Sequence, residues 1–103
     1  MDDTTSPLIT LSTPSNGQAY TSGQSIRISG SVTDNDRIAE IHVHVNNLAT
    51  NTLLLDVHLY PGSSDALFDQ SITATAGTDY KIQIIAIDRY VNQSVITAQV
   101  SCN

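Results

Sequence analysis

GTDYKIQIIAIDRYVNQS, residues 77–94, is the stretch that decides the fold of this chain. It opens on a glycine turn, continues as an alternating strand from Tyr80 to Asp88, and ends in a loop that runs from Asp88 to Asn92. This order of turn, strand and loop predicts the last hairpin of an antiparallel two-sheet sandwich. Tyr80, directly after the turn, is expected to be buried with its hydroxyl bonded to nearby backbone.

Length, charge and cysteine content narrow the class of protein. The 103 residues are enough for one domain with one core, and we predict a disordered acidic tail over residues 1–6 and a single domain over residues 7–103. Ten acidic against four basic residues give a net charge of −6, which would repel nucleic acid and anionic membranes. Cys102 is the only cysteine, so no internal disulfide can form. Its phase in the last strand predicts a buried thiol, and a reactive or intermolecular thiol is the alternative.

Period-two alternation predicts seven strands and no helix. Tight turns separate them at regular intervals, so an antiparallel sandwich is favoured over a barrel. The first, second and fifth strands should form one sheet, and the other four should form the second sheet. The predicted strands are residues 8–12, 25–33, 38–46, 52–60, 66–75, 80–88 and 94–101. The predicted core is Ile28, Val32, Ile41, Val43, Val45, Leu55, Val57, Phe68, Ile72, Tyr80, Ile82 and Ile84.

Two stretches resemble bacterial immunoglobulin-like and fibronectin-III-like cell-surface modules. The turn residues 14–17 and Gly23, followed by the strand 26–34, resemble the first hairpin of such modules, and residues 86–88 with Asn92 resemble their final loop. The resemblance spans nearly the whole chain and implies a seven-stranded antiparallel immunoglobulin-like β-sandwich. Its motifs specify loop geometry and carry no activity.

Two details refine this resemblance. Family members usually have glycine before the asparagine that matches Asn92, whereas this chain has Val91, so the same turn type does not follow. The chain is most similar to small immunoglobulin-like lipoproteins of unknown function from Bacteroidetes, in which an acidic stretch follows the lipidated cysteine. Asp2 and Asp3 resemble that stretch. The resemblance implies a cell-surface or periplasmic lipoprotein whose contact with the membrane is through a lipid anchor.

Three histidines are predicted to share one solvent-facing side of a hairpin. His42 and His44 are two residues apart on one strand, so both imidazoles project from the same face. A turn centred near residues 48–49 predicts Glu40 opposite His58 and His42 opposite Asp56. Three imidazoles and two carboxylates could bind zinc or copper. Cross-strand charge pairing explains the same pattern without a metal.

Acidic and amide side chains in three loops form a second candidate metal site. In the predicted topology, the loops after the second, fourth and sixth strands lie at one end of the sandwich, near the acidic N-terminus. Carboxylate and amide oxygens there could hold Ca²⁺, and a solvated acidic rim of turn residues is the alternative. The candidate ligands are Asp34, Asp36, Asp65, Asp88 and Asn92, with Asn35, Asp2 and Asp3 nearby.

The outer face of the larger predicted sheet is unusually apolar. Tyr60, Ile85, Ile87 and Val95 are expected to lie at its centre, which predicts a surface for a partner or a second copy. No nucleophile elbow, zinc-protease motif or phosphate-binding glycine loop is present in the sequence, so an enzyme is not expected. We predict a non-catalytic extracytoplasmic binding or adhesion module for a protein or a carbohydrate. A small metal-binding surface protein and a structural accessory domain are the alternatives.

Overall fold

The computed structural model describes residues 6–102, and every regular element in that range is a strand. No helix in the described part of the chain is long and apolar enough to cross a membrane. Short loops, several of them with a glycine at positive φ, connect the strands. The strands are β1 (Leu8–Thr13), β2 (Ala19–Tyr20), β3 (Ser25–Asn47), β4 (Leu53–Leu59), β5 (Ser63–Thr73), β6 (Thr78–Asp88) and β7 (Gln93–Cys102).

The long strand β3 belongs to both layers of the fold. Its first half, residues 25–33, pairs with β1 and β5 and forms the smaller sheet. Its second half, residues 38–47, pairs with β4 and β6, and β6 continues the larger sheet through β7 to β2. The inward side chains of both halves join one buried cluster. The predicted immunoglobulin-like sandwich and the predicted division of strands between the sheets are therefore confirmed.

Two details of the predicted architecture were wrong. The sheet is mixed, because Ala19 and Tyr20 pair with β7 in parallel. The second and third predicted strands are one continuous strand, since the backbone stays extended through residues 34–37, where Asp and Asn indicated a loop. The ladder is still disturbed there, because the pairing with β5 changes register between Thr33 and Ile38.

Alternating burial along β3 and β6 builds the core. Most of the predicted core residues are buried, while Leu55, Val57 and Ile72 are partly buried and pack against the cluster. Cys102 is buried, as its phase predicted. The Tyr80 side chain is buried, and its hydroxyl accepts a hydrogen bond from the Thr75 N–H at 2.8 Å. The predicted bond from this tyrosine to nearby backbone is confirmed.

Candidate functional site

The outer face of the larger sheet is built by residues that alternate with the core. On β3, Val43 points inward and is fully buried, so His42 and His44 on either side of it point outward. Antiparallel pairing then sets their neighbours in two rows across the sheet. The first row is His58, His42, Ile85 and Val95, and the second is Asp56, His44, Gln83 and Thr97.

The three histidines form a compact group, called here the histidine cluster (His42, His44 and His58). The His42 and His58 rings are stacked, with centroids 4.0 Å apart and an interplanar angle of 5°. The His44 ring centroid lies 5.7 Å from that of His42 and 5.9 Å from that of His58. One ring nitrogen from each residue lies within 4.8 Å of the other two. Among residues 6–102, this is the one group of His, Cys, Asp and Glu side chains arranged to hold a metal ion.

Carboxylates contact all three imidazoles at the same ring atom. Asp56 Oδ1 lies 3.0 Å from His44 Nε2 and 2.9 Å from His58 Nε2, so one oxygen serves two rings. Glu40 Oε1 lies 3.5 Å from His42 Nε2. An Nε2 that donates its proton to a carboxylate leaves Nδ1 of the neutral ring as the nitrogen with a free lone pair.

The observed pairing of this hairpin differs from the predicted one by two residues. His42 lies opposite His58 and His44 lies opposite Asp56, whereas Glu40 opposite His58 and His42 opposite Asp56 were predicted. The difference arises because the turn runs from Asn47 to Thr52, with the Asn47 N–H bonded to the Thr52 carbonyl. The histidines are also less exposed than predicted, with 19% of the His42 side chain, 23% of His44 and 40% of His58 open to solvent. The contact of Asp56 with both His44 and His58 was not predicted from the sequence, because the predicted register placed Asp56 opposite His42.

Asp88 organises the loop between β6 and β7. Its side chain is almost completely buried. Oδ1 accepts the N–H groups of Tyr90 and Asn92 at 2.9 and 2.8 Å, and Oδ2 accepts the Asn92 side-chain amide at 2.9 Å. These bonds hold Val91 between them at a φ of +66°. The Asp88 carboxylate thus stabilises the conformation of this loop.

The other predicted calcium ligands lie near the same end of the sandwich. The carboxylate of Asp36 pairs with Arg89 Nε at 2.5 Å, and Asp34 Oδ2 accepts the Asp36 N–H at 3.2 Å. Asp65 is exposed and pairs with Thr33 of β3. In the described part of the chain, these carboxylates do not converge on one point as the histidine cluster does. Asp2 and Asp3 lie outside the described residues, and the calcium site stays a prediction.

The four residues of the predicted partner surface lie on or beside the same outer face as the histidine cluster. Ile85 and Val95 extend the row that starts at His58 and His42, and Ile87 pairs with Glu40. Tyr60 follows the end of β4 and is 69% exposed, while Val95 is 44% exposed. Ile85 and Ile87 are half-buried. Apolar side chains therefore border the histidine cluster.

An ion pair on the outer face of the smaller sheet was missed in the sequence. Arg27 Nε and Nη2 donate to Asp69 Oδ1 and Oδ2 at 3.0 and 2.8 Å. These hydrogen bonds lower the pKa of Asp69 and raise that of Arg27. Both side chains are largely exposed, so the pair contributes little to stability. Opposite charges on neighbouring strands often form such pairs. Predicting this one would have required the register between β3 and β5.

Comparison with known proteins agrees with the fold. A family model described as a bacterial Ig domain matches residues 7–84. No curated protein matches the sequence significantly.

Two solved structures illustrate the similarity in fold. Fibronectin(III)-like modules of CbhA from Clostridium thermocellum superpose with a TM-score of 0.62 at 20% identity, covering 92% of this chain and 96% of that one. A superoxide reductase (neelaredoxin) from Ignicoccus hospitalis superposes with a TM-score of 0.61 at 13% identity, covering 96% of this chain and 81% of that one. At these identities the likeness concerns the fold alone.

Proposed function

Because this chain belongs to the bacterial Ig domain family, we propose that it is a non-catalytic binding module that works outside the cytoplasm. Domains of this family and fibronectin-III-like modules are generally non-catalytic and typically extracellular. The fold by itself assigns no target, so the proposal depends on the surface that the chain presents. We infer that this surface is the outer face of the larger sheet and that its partner is another protein.

The observation that carries this proposal is the apolar strip beside the histidine cluster. Ile85, Ile87 and Val95 lie on neighbouring strands, and Tyr60 is exposed beside the end of β4. Side chains of this kind lose water when they are covered, which favours docking of a complementary surface.

Protein is a better match than carbohydrate for this face. Trp is missing from the sequence, and three of its five aromatic residues, Tyr20, Phe68 and Tyr80, are buried. Tyr60 and Tyr90 are the exposed aromatic residues, and they belong to different loops. An apolar centre bordered by charged groups such as Glu40 and Asp56 is instead typical of protein interfaces. The net charge of −6 favours a partner with basic residues around its own apolar centre and disfavours a second copy.

The test is site-specific photo-cross-linking in the native host. A photoreactive residue at Val95 is expected to form an adduct with one defined protein, and the same residue at the exposed Thr10 of β1 serves as the matched control. Replacing Ile85 and Ile87 together with Ser should abolish the Val95 adduct while the domain stays folded by circular dichroism. Equal adducts from both positions, or none from Val95, would overturn the proposed surface. An adduct with the mass of two chains would replace the protein partner with a second copy.

We also infer that a lipid anchor, attached upstream of Asp2 in the native precursor, holds the module at the cell surface. The support is the resemblance of the acidic start to the stretch that follows a lipidated cysteine. Labelling of cells with a radioactive fatty acid, followed by precipitation of the protein, should recover labelled chain. Recovery of unlabelled chain from the soluble fraction would contradict the anchor and leave the binding surface unaffected.

A further inference from the structure

We propose that the histidine cluster is a binding site for a divalent transition-metal ion, with Zn²⁺ as the probe ion, and that Asp56 positions two of its ligands. The proposal is independent of the protein-binding surface, since it rests on the imidazoles and carboxylates of β3 and β4. It assigns a metal-ligand role to His42, His44 and His58.

The imidazoles of this chain are concentrated in one place. The chain has three histidines, and all of them lie in this cluster. Strand geometry places His42 and His44 on one face, and the observed register places His58 directly beside His42. Charge pairing alone would be satisfied by Lys or Arg, whereas imidazole is the side chain that ligates Zn²⁺ and Cu²⁺ most readily.

The ring nitrogens of the histidine cluster are close enough together to share one ion. Tetrahedral Zn²⁺ with bonds of about 2.0–2.1 Å requires ligand nitrogens about 3.3 Å apart. The candidate nitrogens lie within 4.8 Å of one another, so the site would close once the stacked rings of His42 and His58 turn towards a common ion. Partial burial of His42 and His44 restricts these side chains already, which lowers the entropy lost when an ion binds.

Carboxylates contact the imidazoles of the histidine cluster. Metal-ligating histidines usually donate their second ring N–H to a carboxylate, which fixes the tautomer and the ring orientation. Asp56 contacts Nε2 of His44 and His58, and Glu40 lies near Nε2 of His42. Three protein ligands leave the fourth tetrahedral position to water or to a group from outside the chain.

The donor set selects the kind of ion. Imidazole nitrogens suit Zn²⁺, Cu²⁺ and Ni²⁺, whereas Ca²⁺ and Mg²⁺ require oxygen ligands. We therefore expect Zn²⁺ to bind and Mg²⁺ to leave the cluster unaffected.

Isothermal titration of the full chain with Zn²⁺, after removal of any purification tag, tests the site. We expect saturable binding of one ion per chain at micromolar protein. His44→Asn and His58→Asn should each weaken binding by roughly 100-fold or more, because each removes a ligand. Asp56→Asn should weaken it by about 10–100-fold, because it removes a positioning group and keeps all three imidazoles. Gln83→Ala, next to His44 on the same face, is the matched control and should bind like the unchanged chain.

Imidazole ¹H–¹⁵N spectra give an independent readout that does not depend on stability. Addition of Zn²⁺ should move the ring-nitrogen resonances of all three histidines together, and addition of Mg²⁺ should move none. Binding that survives His44→Asn unchanged, or a spectrum in which the histidines respond separately, would overturn the proposal. The absence of saturation in the unchanged chain would do the same.

Discussion

At the scale of single residues, Val91 is held in a conformation that β-branched side chains rarely adopt. Its φ is +66°, in the left-handed region that favours glycine. The Asp88 carboxylate fixes the N–H groups on either side of it, and the Val91 N–H bonds to the Asp88 carbonyl at 3.0 Å. Val91 thus adopts the positive φ that the expected glycine would adopt without strain. The surrounding hydrogen bonds hold the strained residue in place.

We predict that Val91→Gly stabilises the domain. A left-handed conformation costs a residue with a Cβ roughly 1–2 kcal/mol, and the greater freedom of glycine in the unfolded chain takes back part of that gain. Because the Val91 side chain is 79% exposed, little packing is lost. The free energy of unfolding in urea should rise by about 0.5–1 kcal/mol.

Val95→Gly is the matched control for this substitution. Val95 is also an exposed valine, but it lies in β7, where glycine weakens a strand. The control should therefore lower the free energy of unfolding. A loss of stability in both variants would show that Val91 is unstrained.

At the scale of strands, alternation was sufficient to predict which side chains face the core. Val43 is buried and its neighbours His42 and His44 face outward, as predicted. The register of the hairpin was predicted wrongly because a slip of two residues leaves every side chain on its own face. Only the turn between Asn47 and Thr52 distinguishes the two registers. Alternation carries no information about that choice.

Two other errors have local causes. The segment Asp34–Arg37 is rich in residues that favour turns, yet it stays extended because β3 crosses there from one sheet to the other. The strand β2 has two residues, which is too short for any periodic signal. Both features depend on contacts with distant strands that local sequence patterns do not contain.

Gly30 leaves no room for a side chain between β3 and its neighbours β1 and β5, and we predict that Gly30→Ala weakens this contact. An added Cβ would lie 2.1 Å from the Thr10 carbonyl oxygen and 2.8 Å from Phe68 Cζ. Because the first of these atoms is backbone, β1 would have to move. Overpacking of this kind costs about 1–3 kcal/mol, and hydrogen exchange of the β1 amides should become faster.

Ser29→Ala, one residue earlier in β3, is the control for this substitution. It removes a half-buried hydroxyl without adding volume, so β1 should keep its protection. Unchanged exchange in β1 after Gly30→Ala would contradict the close approach.

At the scale of the whole molecule, the sequence predicted the fold class better than the site. Seven alternating segments and a tyrosine after a glycine turn favour one architecture. The composition of the histidine cluster could be predicted from spacing, but the stacking of His42 on His58 and the shared Asp56 oxygen require the correct register and rotamers. For the predicted calcium site, residue types were a poor guide. Asp36 and Asp88 are of the type that binds Ca²⁺, but both are engaged in bonds within the loops.

We therefore predict that Ca²⁺ does not change the thermal stability of the domain. Asp88 accepts three hydrogen bonds and Asp36 pairs with Arg89, so binding an ion would require breaking contacts that stabilise the loops. We expect the melting temperature to be the same in millimolar CaCl₂ and in EDTA, for the unchanged chain and for Asp34→Ala. A bound ion at 100 times its Kd would add about 2.7 kcal/mol to the free energy of unfolding, which a melt detects easily. A rise that Asp34→Ala abolishes would place Ca²⁺ at this end of the sandwich and would mean that the loops rearrange around it.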